Sequence, residues 1–128
     1  MRFTPGELAV MRLLWEHGEQ KPSQLQERFP EPIKNPALRS YLSILMEKGH
    51  ITRRRVGKAY FYKARTQQKR AFRSMLGELS DAFSDGSMRG LLFRMVEDEK
   101  LTEADVKELQ SFVKQNKEKR KKGSGDNE

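Results

Sequence analysis

Residues 34–64 read KNPALRSYLSILMEKGHITRRRVGKAYFYKA, and the fold turns on a change of rhythm halfway along that stretch. Up to Met46, Leu38, Tyr41, Leu42, Leu45 and Met46 recur at helical spacing. That spacing predicts an amphipathic helix capped by Asn35, opened by Pro36 and ended by Gly49. Beyond Gly49, β-branched and aromatic residues flank VGKA, where Gly57 can take the positive φ of a tight turn, so HITRRRVGKAYFYKA reads as a β-hairpin. Arg39, Ser40, Ser43 and Glu47 fall on the helix face opposite the apolar stripe. Glu47 is the only acidic residue in the stretch, among Lys34, Arg39, Lys48, Arg53, Arg54, Arg55, Lys58 and Lys63.

Two helices are predicted upstream. In TPGELAVMRLLWEHG, Thr4 as N-cap, Pro5 and Glu7 form a capping-box start, and Gly18 is the stop. Leu8, Met11, Leu14 and Trp15 share its apolar face. KPSQLQERFPEP reads as a short helix led by Pro22, with Leu25 and Phe29 inward and Pro30 and Pro32 ending it. Three helices followed by a basic hairpin is the order of a winged helix-turn-helix, in which the third helix enters the major groove and the preceding helix crosses the backbone. The candidate DNA contacts are then Lys34, Asn35, Ala37, Arg39, Ser40 and Ser43 on the helix, and Arg53, Arg55 and Lys58 on the hairpin. Successive strand residues alternate sides, so at least one of Arg53, Arg54 and Arg55 points away from DNA. Tyr60, Phe61 and Tyr62 could stack on bases, but packing of the wing is the expectation.

Charge divides the 128-residue chain. There are 26 basic and 18 acidic residues, a net of +8 with pI ≈ 9.9, which favours a polyanionic partner. Residues 1–65 carry 13 basic and 6 acidic side chains, net +7, whereas 66–128 carry 13 and 12, net +1. One half is therefore expected to face a polyanion and the other to face protein. Without cysteine there is no disulfide or thiolate metal site. The N-terminal residues lack the apolar run of a signal peptide and no window has the length of a membrane span, so a cytoplasmic protein with no membrane partner is expected.

The second half repeats one theme. Phe72, Met75, Leu76, Leu79 and Phe83 share a face, as do Met88, Leu91, Leu92, Met95 and Val96. A capping box from Thr102 to Asp105 opens a third helix carrying Val106, Leu109, Phe112 and Val113. Three such short helices bury little surface alone, so pairing with a second copy is expected, and a two-fold dimer suits a palindromic site. The candidate dimerisation residues are Phe72, Met75, Leu76, Leu79, Leu91, Leu92, Met95, Val106, Leu109 and Phe112. The expected class is mostly α with a small β-hairpin wing: a winged helix-turn-helix over 1–65, a helical dimerisation domain over 66–117 and a disordered basic tail over 118–128. The tail's KEKRKK reads either as added nonspecific DNA affinity or as a solubilising segment.

FTPGELAVMRLLWEHG, ALRSYLSILMEKGHITRRRVGKAYFYKA and LLFRMVEDEKLTEADVKELQSF together resemble the BlaI/MecI/CopY family of penicillinase-type transcriptional repressors, over roughly residues 3–113. The resemblance implies a homodimer that binds a palindromic operator and blocks transcription. Where the family's third helix commonly reads TVxTxLxRL, this chain has ALRSYLSIL: Ala37 replaces a Thr, Ser40 keeps a hydroxyl and Ile44 replaces an Arg, which leaves the operator sequence open. Members that answer to β-lactams are inactivated by a regulatory protease cutting an Asn-Phe bond. The aligned bond here is Arg94–Met95, which leaves open whether a regulatory protease is a partner and whether induction is proteolytic. Copper-responsive members carry a Cys-rich C-terminal motif that this chain lacks.

Two other readings compete. One is a nonspecific or RNA-directed winged-helix module, distinguishable by equal affinity for structured RNA or unrelated duplex. The other is an enzyme, for which no paired carboxylates, nucleophile with a nearby His, phosphate-cradling loop or metal spacing is visible, so no catalytic residues, metal or cofactor are expected. His17 and His50 are isolated and read as structural or surface residues.

Overall fold

The computed structural model describes residues 2–126, with side chains through Lys121. In chain order its elements are α1 (Pro5–His17), α2 (Pro22–Arg28), α3 (Asn35–Glu47), β1 (Ile51–Val56), β2 (Ala59–Ala64), α4 (Gln68–Phe83), α5 (Met88–Glu97) and α6 (Glu103–Asp126). It is the mostly helical, winged architecture expected. The chain forms two compact units, Met1–Leu76 and Gly77–Glu128, so the first unit extends beyond residue 65 and takes in the start of α4.

Local chemistry sets the ends of the elements. Thr4 Oγ1 accepts from the Glu7 N–H at 3.3 Å while Glu7 Oε1 accepts from the Thr4 N–H at 3.4 Å, closing the capping box of α1. Gly18, at φ 77°, ends that helix. The α3 start differs from the expectation. Lys34 holds the cap position and Asn35 is the first helical residue, because Asn35 Oδ1 accepts from Arg39 Nε one turn on, at 3.3 Å, instead of turning back to the first amides. Between β1 and β2 the turn is Gly57-Lys58, with φ 63° at Gly57, and the strands pair antiparallel from Ile51↔Ala64 to Val56↔Ala59.

The first unit has one core. Val10, Met11, Leu13 and Leu14 of α1 meet Leu25 of α2, Leu38, Leu42 and Leu45 of α3, Ile51 and Tyr62. Each fully buried leucine among them contributes roughly 1.5 to 3 kcal/mol. The buried face of α1 is wider than predicted: Val10 and Leu13 join it, while Leu8 and Trp15 are only half-buried. The reason is that α1 packs against α2, α3 and β2 at once. Trp15 Nε1 instead donates to the Thr66 carbonyl at 2.9 Å, and Thr66 Oγ1 lies 2.8 Å from His50 Nδ1, which ties the entry of α4 to α1 and the hairpin. His50 is thus structural, its pKa lowered first by burial.

Glu7 is buried, and its Oε1 accepts from Lys48 Nζ at 3.0 Å, joining α1 to the end of α3. Desolvation pushes the Glu7 pKa up, but hydrogen bonds from Lys48 and Thr4 outweigh it and hold the carboxyl below the ordinary range. A carboxyl with a depressed folded-state pKa adds stability above its unfolded pKa, and that stability is lost as pH falls through the folded value. The melting temperature is therefore expected to drop as the pH falls below the ordinary carboxylate range, and less steeply for Glu7→Gln. Equal slopes for the two proteins would remove Glu7 from the account.

The second unit differs in kind. Among its described residues only Ser80 is buried, and no apolar side chain is. Thr102 and Asp105 form the expected capping box, with Thr102 N–H donating to Asp105 Oδ2 at 2.9 Å and Asp105 N–H to Thr102 Oγ1 at 3.2 Å. Ser87 caps α5, accepting from the Gly90 N–H at 3.1 Å. Where a disordered tail is expected over 118–128, α6 continues to Asp126, and residues 127 and 128 lie outside the described residues. Lys, Glu, Gln and Arg are good helix formers, and that propensity outweighs the low apolar content.

Candidate nucleic-acid interface

The outer side of α3 is built as the periodicity predicts. With Leu38, Leu42 and Leu45 turned into the core, Lys34, Asn35, Ala37, Arg39, Ser40 and Ser43 are all exposed. Hydroxyl, amide and guanidinium groups that can reach base edges and phosphates thus lie along one rigid helix.

The hairpin sorts its arginines by strand alternation. Arg53 faces Tyr62 and Arg55 faces Tyr60 across the pair, while Arg54 faces Phe61 on the other side. Arg53 Nη1 donates to the Tyr62 hydroxyl at 3.2 Å, and its guanidinium sits 4.2 Å from the centre of the Tyr60 ring. Arg55 lies 5.9 Å from the same ring and donates from Nε to the Gly57 carbonyl at 3.0 Å. Arg54 is the odd one out. It pairs with Glu19 at 2.7 Å, and its hydrogen bond holds the Glu19 carboxyl below the ordinary range. Tyr62 is buried in the core and Tyr60 packs against it, so these rings serve the wing's packing.

Helix, wing and α2 converge. Asn35 and Arg39 from α3, Lys58 and Tyr60 from the wing, and Lys21, Ser23 and Gln26 from the α2 region line one open cleft of about 260 Å³, with no acidic side chain on its wall. Of the residues expected to contact DNA, Asn35, Arg39 and Lys58 meet there. Lys34, Ala37, Ser40, Ser43, Arg53 and Arg55 are exposed but not part of its lining. Lys21, Ser23 and Gln26 were not among the expected residues. Their signal was Pro22, which opens α2 directly after Lys21.

Gln20, 1% exposed, fixes this geometry. Its Nε2 donates to the Leu13 and Gly18 carbonyls at 2.9 and 3.0 Å, and its Oε1 accepts from Arg28 at 2.7 Å. Its backbone exchanges two hydrogen bonds with Tyr62, at 2.9 and 2.8 Å. One residue thereby anchors the end of α1, α2 and β2.

The residues expected to dimerise lie on two units. Phe72, Met75 and Leu76 belong to the first; Leu79, Leu91, Leu92, Met95, Val106, Leu109 and Phe112 belong to the second. Met75, Leu76 and Leu91 are half-buried, and the other seven are exposed. Among the described residues no cluster of His, Asp or Glu could hold a metal ion, and no helix is long and apolar enough to cross a membrane.

A helix-turn-helix with a two-stranded wing and a basic cleft at their junction defines a winged-helix DNA-binding regulator. The chain belongs to the penicillinase repressor family, whose sequence pattern matches residues 3–115, and it is a transcriptional repressor of that family. No curated protein matches the chain by sequence. Among solved structures, the transcriptional regulator PA4135 is 20% identical, with a TM-score of 0.52 over 91% of this chain and 78% of that one. The YusO protein from Bacillus subtilis is 19% identical, with a TM-score of 0.51 over 90% of this chain and 74% of that one. These two likenesses support the fold.

Proposed function

We propose that the protein works as a homodimer which binds a palindromic operator through α3 and the wing and so blocks transcription, in the cytoplasm where the duplex lies. The observation that carries this reading is the acid-free cleft that joins the first turn of α3, the wing tip and the start of α2. Exposed Arg39, Ser40 and Ser43 would read base edges, and Lys34, Arg53, Arg55 and Lys58 would hold phosphates. The absence of any buried apolar side chain among the described residues of the second unit supports the dimer, because a second copy bearing the same stripes would supply the missing core. A protease that inactivates the chain at the position aligned with the family's cleavage bond would have to accept Arg94–Met95, which lies within α5.

The test is selection of bound sequences from a randomised duplex pool by the purified protein near physiological salt. A two-fold symmetric motif is the expected result. Measurable binding with no motif would replace this reading by a nonspecific or RNA-directed winged-helix module. The arginine sorting gives a second check. Arg55→Ala is expected to weaken every duplex and to lower the salt slope by about one per copy, whereas Arg54→Ala leaves the slope unchanged. Equal losses would mean that the wing meets DNA with its other face.

A further inference from the structure

The last part of α6 has no work to do in a dimer core. Its apolar residues end at Val113, yet the helix continues to Asp126, past the end of the family's matched span at residue 115. Residues 114–122 read KQNKEKRKK, with six basic side chains and Glu118 as the single acid, net +5. Lys107, Lys114 and Lys121 recur every seven residues on the side of the helix away from Leu109 and Phe112, and Lys117 borders that line. All four are exposed. Lysines three residues apart, such as Lys114 with Lys117, repel one another, and the segment has no apolar face whose burial would offset the repulsion.

We propose that this lysine line is a second DNA-binding surface, which holds the phosphate backbone of the duplex flanking the operator. Basic charge alone holds a lipid surface only loosely, and stable binding needs an apolar helix face as well, which KQNKEKRKK lacks. A protein partner would meet a surface rich in lysine and without aromatic or aliphatic anchors, the composition that protein interfaces avoid. Hydrated lysine charges instead suit phosphates, which need a point charge and no shaped pocket. From Lys107 to Lys121 the line runs about 21 Å, alongside which a duplex carries on the order of a dozen phosphates. The proposal rests on the operator-binding reading, since a duplex held by the first unit raises the local concentration of its own flanks at α6. If a partner helix covers Leu109 and Phe112, the lysine line stays open.

The experiment compares the full-length protein with the Lys114→Gln, Lys117→Gln, Lys121→Gln triple variant, which keeps helix propensity and removes charge. Each is titrated over a range of salt with two probes: the selected palindrome on a duplex of about 20 base pairs, and the same palindrome extended to about 50. The wild type is expected to bind the long probe roughly tenfold more tightly, with a salt slope steeper by about 5 when three lysines from each of two copies engage. The variant should lose that difference and match the wild type on the short probe. A wild type indifferent to flank length, or a variant with an undiminished flank effect, overturns the proposal while leaving operator binding intact. Flanks of double-stranded RNA that act as well as DNA flanks overturn the assignment to DNA. A wild type that fails to hold even the short probe removes the operator reading and this inference with it.

Discussion

Full-length protein carrying Leu92→Asp and Leu109→Asp is expected to be monomeric and to bind a palindromic operator on the order of 10²- to 10⁴-fold more weakly than the wild type. In the single chain these leucines are 49% and 44% exposed, so an aspartate at either position meets water and costs the monomer little. In a dimer closed by the apolar stripes, the same carboxylates would be buried unpaired, at a cost of several kcal/mol each. Without the second copy, each winged helix binds its half-site alone and loses the gain of joint binding. Sedimentation and duplex titration read the two effects separately. An unchanged dimer would show that other residues close the interface; a monomer with undiminished palindrome affinity would show that the two copies bind independently.

The second large effect is expected from Arg39→Ala. If Arg39 makes a bidentate contact to a base, its loss costs about 1 to 3 kcal/mol per half-site. A palindrome doubles this, giving a fall in operator affinity between roughly 30-fold and 10⁴-fold while random duplex is bound much as before. Lys58→Ala is the control from the same cleft: as a phosphate contact it should weaken all duplexes alike and lower the salt slope by about one per copy. Arg39 already donates to Asn35, so part of its orientation is set before DNA arrives. Uniform weakening by Arg39→Ala would reassign it to the backbone.

Local features of this fold were readable from the sequence, and long-range ones were not. The helix-to-hairpin switch at Gly49, the Gly57 turn and both Thr-led capping boxes are set by neighbours in the chain, so they lie where the pattern places them. The width of the α1 core face depends on α2, α3 and β2 packing around it, which periodicity within α1 does not encode. Gln20 is less legible still. A lone buried amide breaks the apolar rhythm and becomes explicable only once Leu13, Arg28 and Tyr62 surround it. The cleft was half visible: α3 and the wing announce their charge, but the share of Lys21, Ser23 and Gln26 arises from tertiary placement. Low apolar content in the tail argues against a packed core, not against a helix of Lys, Glu and Arg, so α6 runs on past its last apolar residue.

The second unit, with no apolar side chain buried among its described residues, has a consequence for gene dosage. If two copies complete that core, folding of the unit and pairing of the chains become one event, and stability acquires a dependence on protein concentration. Below the dissociation constant of the dimer, the amount of paired protein rises with the square of expression. Promoter occupancy would then respond to changes in synthesis or dilution more steeply than for a monomeric binder, so a cell that halves its repressor level would lose more than half of its repression.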